Sequence, residues 1–348
     1  MKINSLVFRR APLALVCFAA ASCHSSGLVA TPPKSTALGR QILPLPPDSL
    51  ISFTANGAEV SSSATGALVR KLEPPPADYG RPIASSVDLG SWMGAVVHER
   101  GLAVLNLTSP ETEPLWLPLA WTKPPTSIFV SDANAATLGG TEACLWDLTN
   151  AKLAVRRDLA EWSTEHRLGP AVCIVPDRAK LTRATVLFSS PESTDVQVLD
   201  FSRGNPEMIA SSSNIFQNTK RTWWRVERCA YDGENLFLSG TKEAVGTDSS
   251  GRVVPQPSPF LMKLDLATRE HEILSDENTH ERDQTVDEIA AAKGLVATVR
   301  RDGLLRVFRG REKSYEVRVA RGSAIAWLSG TSLAVYDASS SRVIDLTH

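Results

Sequence analysis

Short apolar runs separated by turn residues recur along the chain at intervals of a few tens of residues. The clearest case is Ala136–Lys152, ATLGGTEACLWDLTNAK. A strand of small residues ends in a Gly139-Gly140 turn, and an apolar strand follows, closing on Leu145-Trp146-Asp147-Leu148. Thr149-Asn150 then turns the chain into a third strand, Leu153–Leu159. The closing pattern, apolar–Asp/Asn–apolar, returns as Leu105-Asn106-Leu107, Leu199-Asp200-Phe201, Leu264-Asp265-Leu266 and Ile344-Asp345-Leu346. Val69 and Val307 mark two weaker copies, where Arg70 and Phe308 stand in place of the acid. Upstream of the marks lie hairpin patterns, apolar alternation around Gly or Asp-Gly turns, such as MGAVVHERGLAVL and GLVATVRRDGLLRV. Ser127–Val130, Ala171–Val175, Val226–Tyr231 and Ala324–Leu328 read as inner strands. Leu115–Leu119, Leu153–Leu159, Glu270–Leu274 and Tyr315–Val319 read as outer ones. Four strands per unit and about seven units predict an all-β chain folded as a seven-bladed β-propeller of four-stranded antiparallel blades.

At Trp146-Asp147 the units resemble WD repeats, and the resemblance extends in pattern over residues 48–348. That stretch is expected to be a single propeller domain. The wide spacing around the fourth and fifth units reads as insertions at Asp177–Arg183, Ser211–Trp224 and Thr241–Ser258. The last unit, Ser323–His348, stops without an outer strand. An open edge exposes unpaired backbone groups, so Ala37–Leu45 is expected to supply the missing strand and clasp the ring.

The N-terminus reads as an address. Met1–Arg10 carries three cations, and Ala11–Ala21 is apolar over a length too short to span a bilayer, which fits a secretory signal over residues 1–22. Ala20-Ala21-Ser22-Cys23 resembles the lipobox of bacterial lipoproteins. The resemblance implies cleavage before Cys23, acylation of its thiol and, with His24 following, sorting to the outer membrane of a Gram-negative bacterium. Residues 23–47, rich in Ser, Thr and Pro, then form a lipidated tether that buries little. The only expected contact with a membrane is through that lipid anchor.

Charge narrows the partners. The net charge of −1 becomes −4 without residues 1–22, which hold three cations and no acid. A mildly acidic chain lacks the basic face that nucleic acid demands. Beyond the signal and Cys23, three cysteines remain, Cys144, Cys173 and Cys229, each inside an apolar strand and none at metal-ligand spacing. They read as buried free thiols, with one disulfide among them as the alternative. The histidines are scattered and read as isolated surface imidazoles; the acidic run Ser275–Asp283 reads as a solvated loop. No catalytic or phosphate-binding motif is present, and no catalytic residue, metal site or cofactor is assigned. The chain reads as a protein-binding platform in the cell envelope, more a binder than an enzyme. The alternatives are a propeller hydrolase or lyase with its site at the channel mouth, and a structural envelope lipoprotein. The candidate partner-binding residues are Lys220, Arg221, Trp223, Trp224 and Arg225, an aromatic and cationic patch placed by the pattern in a loop between blades.

Overall fold

The computed structural model describes residues 41–119, 121–190, 192–216, 222–247, 249–276, 285–336 and 341–347. All lie in the second of the chain's two compact units, Pro33–His348. Their strands run in chain order. Blade 1 holds β1 (Gln41–Leu45), β2 (Ser49–Thr54), β3 (Gly57–Ser62) and β4 (Leu68–Lys71). Blade 2 holds β5 (Pro82–Asp88), β6 (Met93–His98), β7 (Gly101–Asn106) and β8 (Leu115–Pro118). Blade 3 holds β9 (Ser127–Ser131), β10 (Asn134–Gly139), β11 (Glu142–Asp147) and β12 (Lys152–Asp158). A six-residue helix, α1 (Ala160–Glu165), leads to blade 4: β13 (Ala171–Pro176), β14 (Arg183–Ser189), β15 (Thr194–Asp200) and β16 (Glu207–Ser212). Blade 5 holds β17 (Thr222–Tyr231), β18 (Asn235–Thr247), β19 (Val253–Asp265) and β20 (His271–Asp276). Blade 6 holds β21 (Val286–Ala292), β22 (Leu295–Arg300), β23 (Leu304–Arg309) and β24 (Glu312–Arg318). Blade 7 holds β25 (Ala324–Trp327), β26 (Ser332–Tyr336) and β27 (Ser341–Asp345). This is a seven-bladed propeller of four-stranded antiparallel blades, the last showing three strands among the described residues.

The first strand of each blade touches the first strand of the next, and β25 returns to β1, so the ring closes around an axis lined by inner strands. The core is divided accordingly. Each seam between neighbouring blades holds one apolar cluster, because alternate residues of a strand point to opposite faces. In β10, Ala135 faces the seam with blade 2, while Ala136 and Leu138 face the seam with blade 4. Strands buried on both faces must be apolar at nearly every position, which is why the sequence shows runs rather than clean alternation.

The recurring acid has a defined job. At the end of the third strand in blades 2, 3, 4, 5 and 7 its side chain accepts backbone N–H groups of the turn that follows, an Asx turn. Asp147 accepts from Asn150 at 3.0 Å, Asp200 from Ser202 at 2.9 Å, and Asp265 from Ala267 and Thr268 at 2.8 Å each. Asn106 accepts from Thr108 at 3.1 Å and Asp345 from Thr347 at 3.0 Å. The apolar residue after the acid then locks the blade: Leu107, Leu148, Phe201 and Leu346 donate their N–H to the start of the second strand at 2.7–2.8 Å.

Two expectations are corrected. Val69 lies in the outer strand β4; the third strand of blade 1 is β3, because the first hairpin turns at Asn56-Gly57, with Gly57 at φ 141°. The described part of Ala37–Leu45 does not close blade 7 as a clasp. Gln41–Leu45 pairs along its whole length with β2 as the inner strand of blade 1, so the propeller begins before residue 48; residues 37–40 lie outside the described residues. The insertion expected at Thr241–Ser258 lengthens β18 to Thr247 and begins β19 at Val253, with the two strands in unbroken register.

Candidate functional site

Blade 5 departs from the others. Its first three strands have ten, thirteen and thirteen residues, whereas β20 covers only Phe260–Leu264 of β19. The segments Thr222–Val226, Gly240–Thr247 and Val253–Pro259 therefore run on as a three-stranded ribbon. Its free edge carries Pro255, Pro257 and Pro259 at alternate positions. The three share one parity, so the N–H groups they lack all belong to the same side of the strand. Proline is tolerated on an edge for this reason, and it blunts the edge against further pairing.

The expected patch is split by this ribbon. Trp223, Trp224 and Arg225 lie in β17 rather than in a loop, while Lys220 and Arg221 lie outside the described residues. Trp224 is 7% exposed and belongs to the seam between blades 4 and 5. Phe216 stacks on it at 5.3 Å, Phe260 meets it edge-on at 5.0 Å, and the Lys242 ammonium sits 5.0 Å from its ring. Trp223 is half-buried on the opposite face, in one row with Glu243 and Pro257, and its Nε1–H donates to Glu243 at 2.9 Å. The row above holds Val245 and Pro255, both exposed; the row below holds Arg225, Thr241 and Pro259. Arg225 is held by Glu227 at 2.7 Å, and Thr241 donates to the same carboxylate at 3.1 Å. The exposed face is thus a strip of Trp, Val and Pro bordered by a neutralised ion pair. The signal for it in sequence is the alternation Pro-x-Pro-x-Pro, read there as punctuation.

Titratable groups collect on the innermost strands. Burial pushes the Glu288 carboxyl up to about 7, against the pull of the Arg228 guanidinium on the neighbouring inner strand, and Asp287 adds to the rise. A carboxyl raised in the folded state keeps a proton that the unfolded chain has lost, so this group favours folding below pH 4.5 and loses that contribution as pH rises through about 7. Glu288→Gln is expected to be more stable than the parent at pH 8, by on the order of 2 kcal/mol at most, and indistinguishable from it near pH 4. Urea midpoints at the two pH values check this.

At the other end of the inner strands, acids and amides tie blade to blade. Asp88 accepts the N–H of Asp132 at 2.6 Å, Asn134 donates to the Asp177 carbonyl at 2.9 Å, and Asp232 accepts the N–H of Gly294 at 2.8 Å. The Tyr231 hydroxyl donates to the Gly233 carbonyl at 2.6 Å, and burial raises its pKa. These groups are committed to holding turns. Among the described residues no three His, Cys, Asp or Glu side chains gather as metal ligands. A shallow cleft between blades 5 and 6 holds Arg300 and Arg306, paired with Asp302 at 2.8 Å and Glu316 at 2.7 Å.

His98 corrects the expectation of surface imidazoles. It is fully buried among Phe53, Tyr79 and Trp116, and its Nδ1–H donates to the Gly80 carbonyl at 3.1 Å. Burial lowers its pKa, more than Gly80 and Glu99 raise it, so the ring is neutral. His166 stacks on Trp162 at 3.9 Å. Of the acidic run Ser275–Asp283, Ser275 and Asp276 end β20 and the rest lies outside the described residues, as does Cys23.

No family model matches the chain, and no curated protein matches it. Solved structures do. The β-propeller domain of Cps50 (Swd1) from Myceliophteria thermophila aligns with TM-score 0.57 at 13% identity, covering 88% of this chain and 96% of that one. The Pan2 WD40 domain of Neurospora crassa aligns at 0.53 and 9%, covering 88% and 90%, and the WD40 propeller domain of Doa1 at 0.52 and 12%, covering 87% and 90%. At these identities the likeness is one of fold.

Proposed function

We propose that the chain is a protein-binding platform, held by a lipid on Cys23 at the extracytoplasmic side of a bacterial envelope membrane, whose partner docks on the blade-5 ribbon. The observation that supports docking is the strip formed by Trp223, Val245, Pro255 and Pro257. It stands on strands that outrun the blade's fourth strand, with Val245 and Pro255 exposed and Trp223 and Pro257 partly so, and its edge is blunted by proline. Partly exposed aromatics beside a paired arginine make effective interface anchors, since they add area at little cost in side-chain order. A rigid ring also presents such a strip without having to be ordered on binding. The lipid anchor rests on the signal-like N-terminus and the residues before Cys23.

Two variants of the full chain test the two halves. A photo-crosslinking residue at Val245 should give a discrete adduct in intact envelopes, and Trp223→Ala should abolish the adduct while shifting the melting temperature by no more than a few degrees. An adduct that survives Trp223→Ala places the partner elsewhere. Cys23→Ala should move the protein from the membrane to the soluble extracytoplasmic fraction; retention in detergent-free extracts overturns the anchor.

A further inference from the structure

Two thiols meet in the seam between blades 4 and 5, away from the strip just described. Cys173 lies on the inner strand β13 and Cys229 on the inner strand β17, and these strands run side by side. Cys173 is 1% exposed, inside the cluster that contains Val175, Leu187, Trp224 and Val226. Cys229 packs against the same cluster but is partly exposed. Both thiols are reduced, and both face this one cluster from neighbouring inner strands. The third cysteine, Cys144, stands apart in the seam between blades 2 and 3, where burial pushes its thiol up to about 12.

We propose that Cys173 and Cys229 form a modification site that a small-molecule or protein disulfide oxidises to an interblade disulfide. The order of events follows from exposure. The Cys229 thiolate, the accessible one, attacks a sulfur of the oxidant RSSR; the Cys229–S–SR bond forms, the oxidant's S–S bond breaks and RSH leaves after taking up a proton. Cys173 then loses its proton and attacks Cys229 Sγ, the Cys173–Cys229 bond forms and the second RSH departs. Two electrons pass from the pair of thiols to the oxidant. Burial raises the Cys173 thiol well above the usual range, which disfavours its direct reaction with an external oxidant and casts it as the resolving partner. Because the two thiols pack into one cluster from strands that run side by side, the bond can form across the seam without rearranging the blades. The bond would close a loop from residue 173 to residue 229 and fasten blade 4 to blade 5, and a loop of this length gives a substantial gain in stability.

Purified full-length chain is to be incubated with oxidised glutathione at pH 8, quenched in acid, alkylated under denaturing conditions and mapped by peptide mass. The expected product joins the Cys173 and Cys229 peptides with the loss of two hydrogens and leaves Cys144 alkylated. Its melting temperature should exceed that of the dithiothreitol-treated protein by several degrees, a difference that Cys229→Ala removes. Cys229 is partly exposed, so that variant retains the fold even if Cys173→Ala does not. Full alkylation of both cysteines after oxidation, a bond to Cys144, a bond between two molecules, or glutathione remaining on Cys229 each overturns the proposal.

Discussion

Trp224→Ala is expected to lower stability by about 3–5 kcal/mol, as truncation of a large buried aromatic does. The ring fills the space between Phe216 and Phe260, and a cavity there would sit in the middle of the seam between blades 4 and 5. Two aromatic contacts add about 0.5–1.5 kcal/mol each to the burial itself. Lys242, now over the ring, would lose that contact. The neighbouring Trp223→Ala removes a half-buried ring and one bond to Glu243, and should cost no more than about 1 kcal/mol. Urea unfolding of both variants reads this difference directly. Similar midpoints for the two would mean that the ribbon does not separate the tryptophans into an inner and an outer face.

That separation was legible in sequence only in part. Adjacent residues of an extended strand point to opposite sides, so Trp223 and Trp224 could not share one core, and the pleat bears this out. Which of the two is buried depends on Phe216 and Phe260, eight and thirty-six residues from Trp224 in the chain and outside its local pattern; the ladder of β17 against β18 decides it. The ribbon itself was hidden because proline reads locally as a breaker. Pro255, Pro257 and Pro259 are compatible with a strand only at an unpaired edge, and edges are defined by the sheet rather than by the segment.

The repeat was legible for a chemical reason. An acid or amide at the end of a third strand satisfies turn N–H groups, and the apolar residue after it both enters a seam and donates to the second strand, so five of the seven blades carry the same short pattern. Where the pattern is absent, the reading slipped. In blade 1 two glycine turns, at Gly57 and Gly66, are equally acceptable locally. Only the packing of Ala58 and Val60 beside Leu105 and Leu107 of blade 2 shows that the first of them opens the third strand. His98 illustrates the same limit: its neighbours in sequence are charged, whereas Phe53, Tyr79 and Trp116 reach it from other strands and loops.

Deleting Gln41–Leu45 is expected to abolish cooperative folding of the propeller. The segment is the inner strand of blade 1, bonded to β2 over its full length and lying against both β5 and β25. Its side chains serve two seams. Leu43 and Leu45 pack with Ile51, Phe53 and Leu105 in the seam with blade 2, while Ile42 packs with Leu50 and three alanines, Ala324, Ala326 and Ala334, in the seam with blade 7. That second seam closes the ring and holds few large side chains, so Ile42 carries an unusual share of it. Three buried aliphatic side chains at about 1.5–3 kcal/mol each amount to roughly 5–9 kcal/mol, comparable to the whole stability of a typical domain. Loss of the strand also strands the backbone groups of β2. A thermal scan of the variant should show no cooperative transition, and limited proteolysis should cut it throughout, whereas deletion of Ser25–Thr31 should leave the midpoint within a degree or two. A Gln41–Leu45 deletion that melts cooperatively at the parent's temperature would show that the ring closes without its first inner strand.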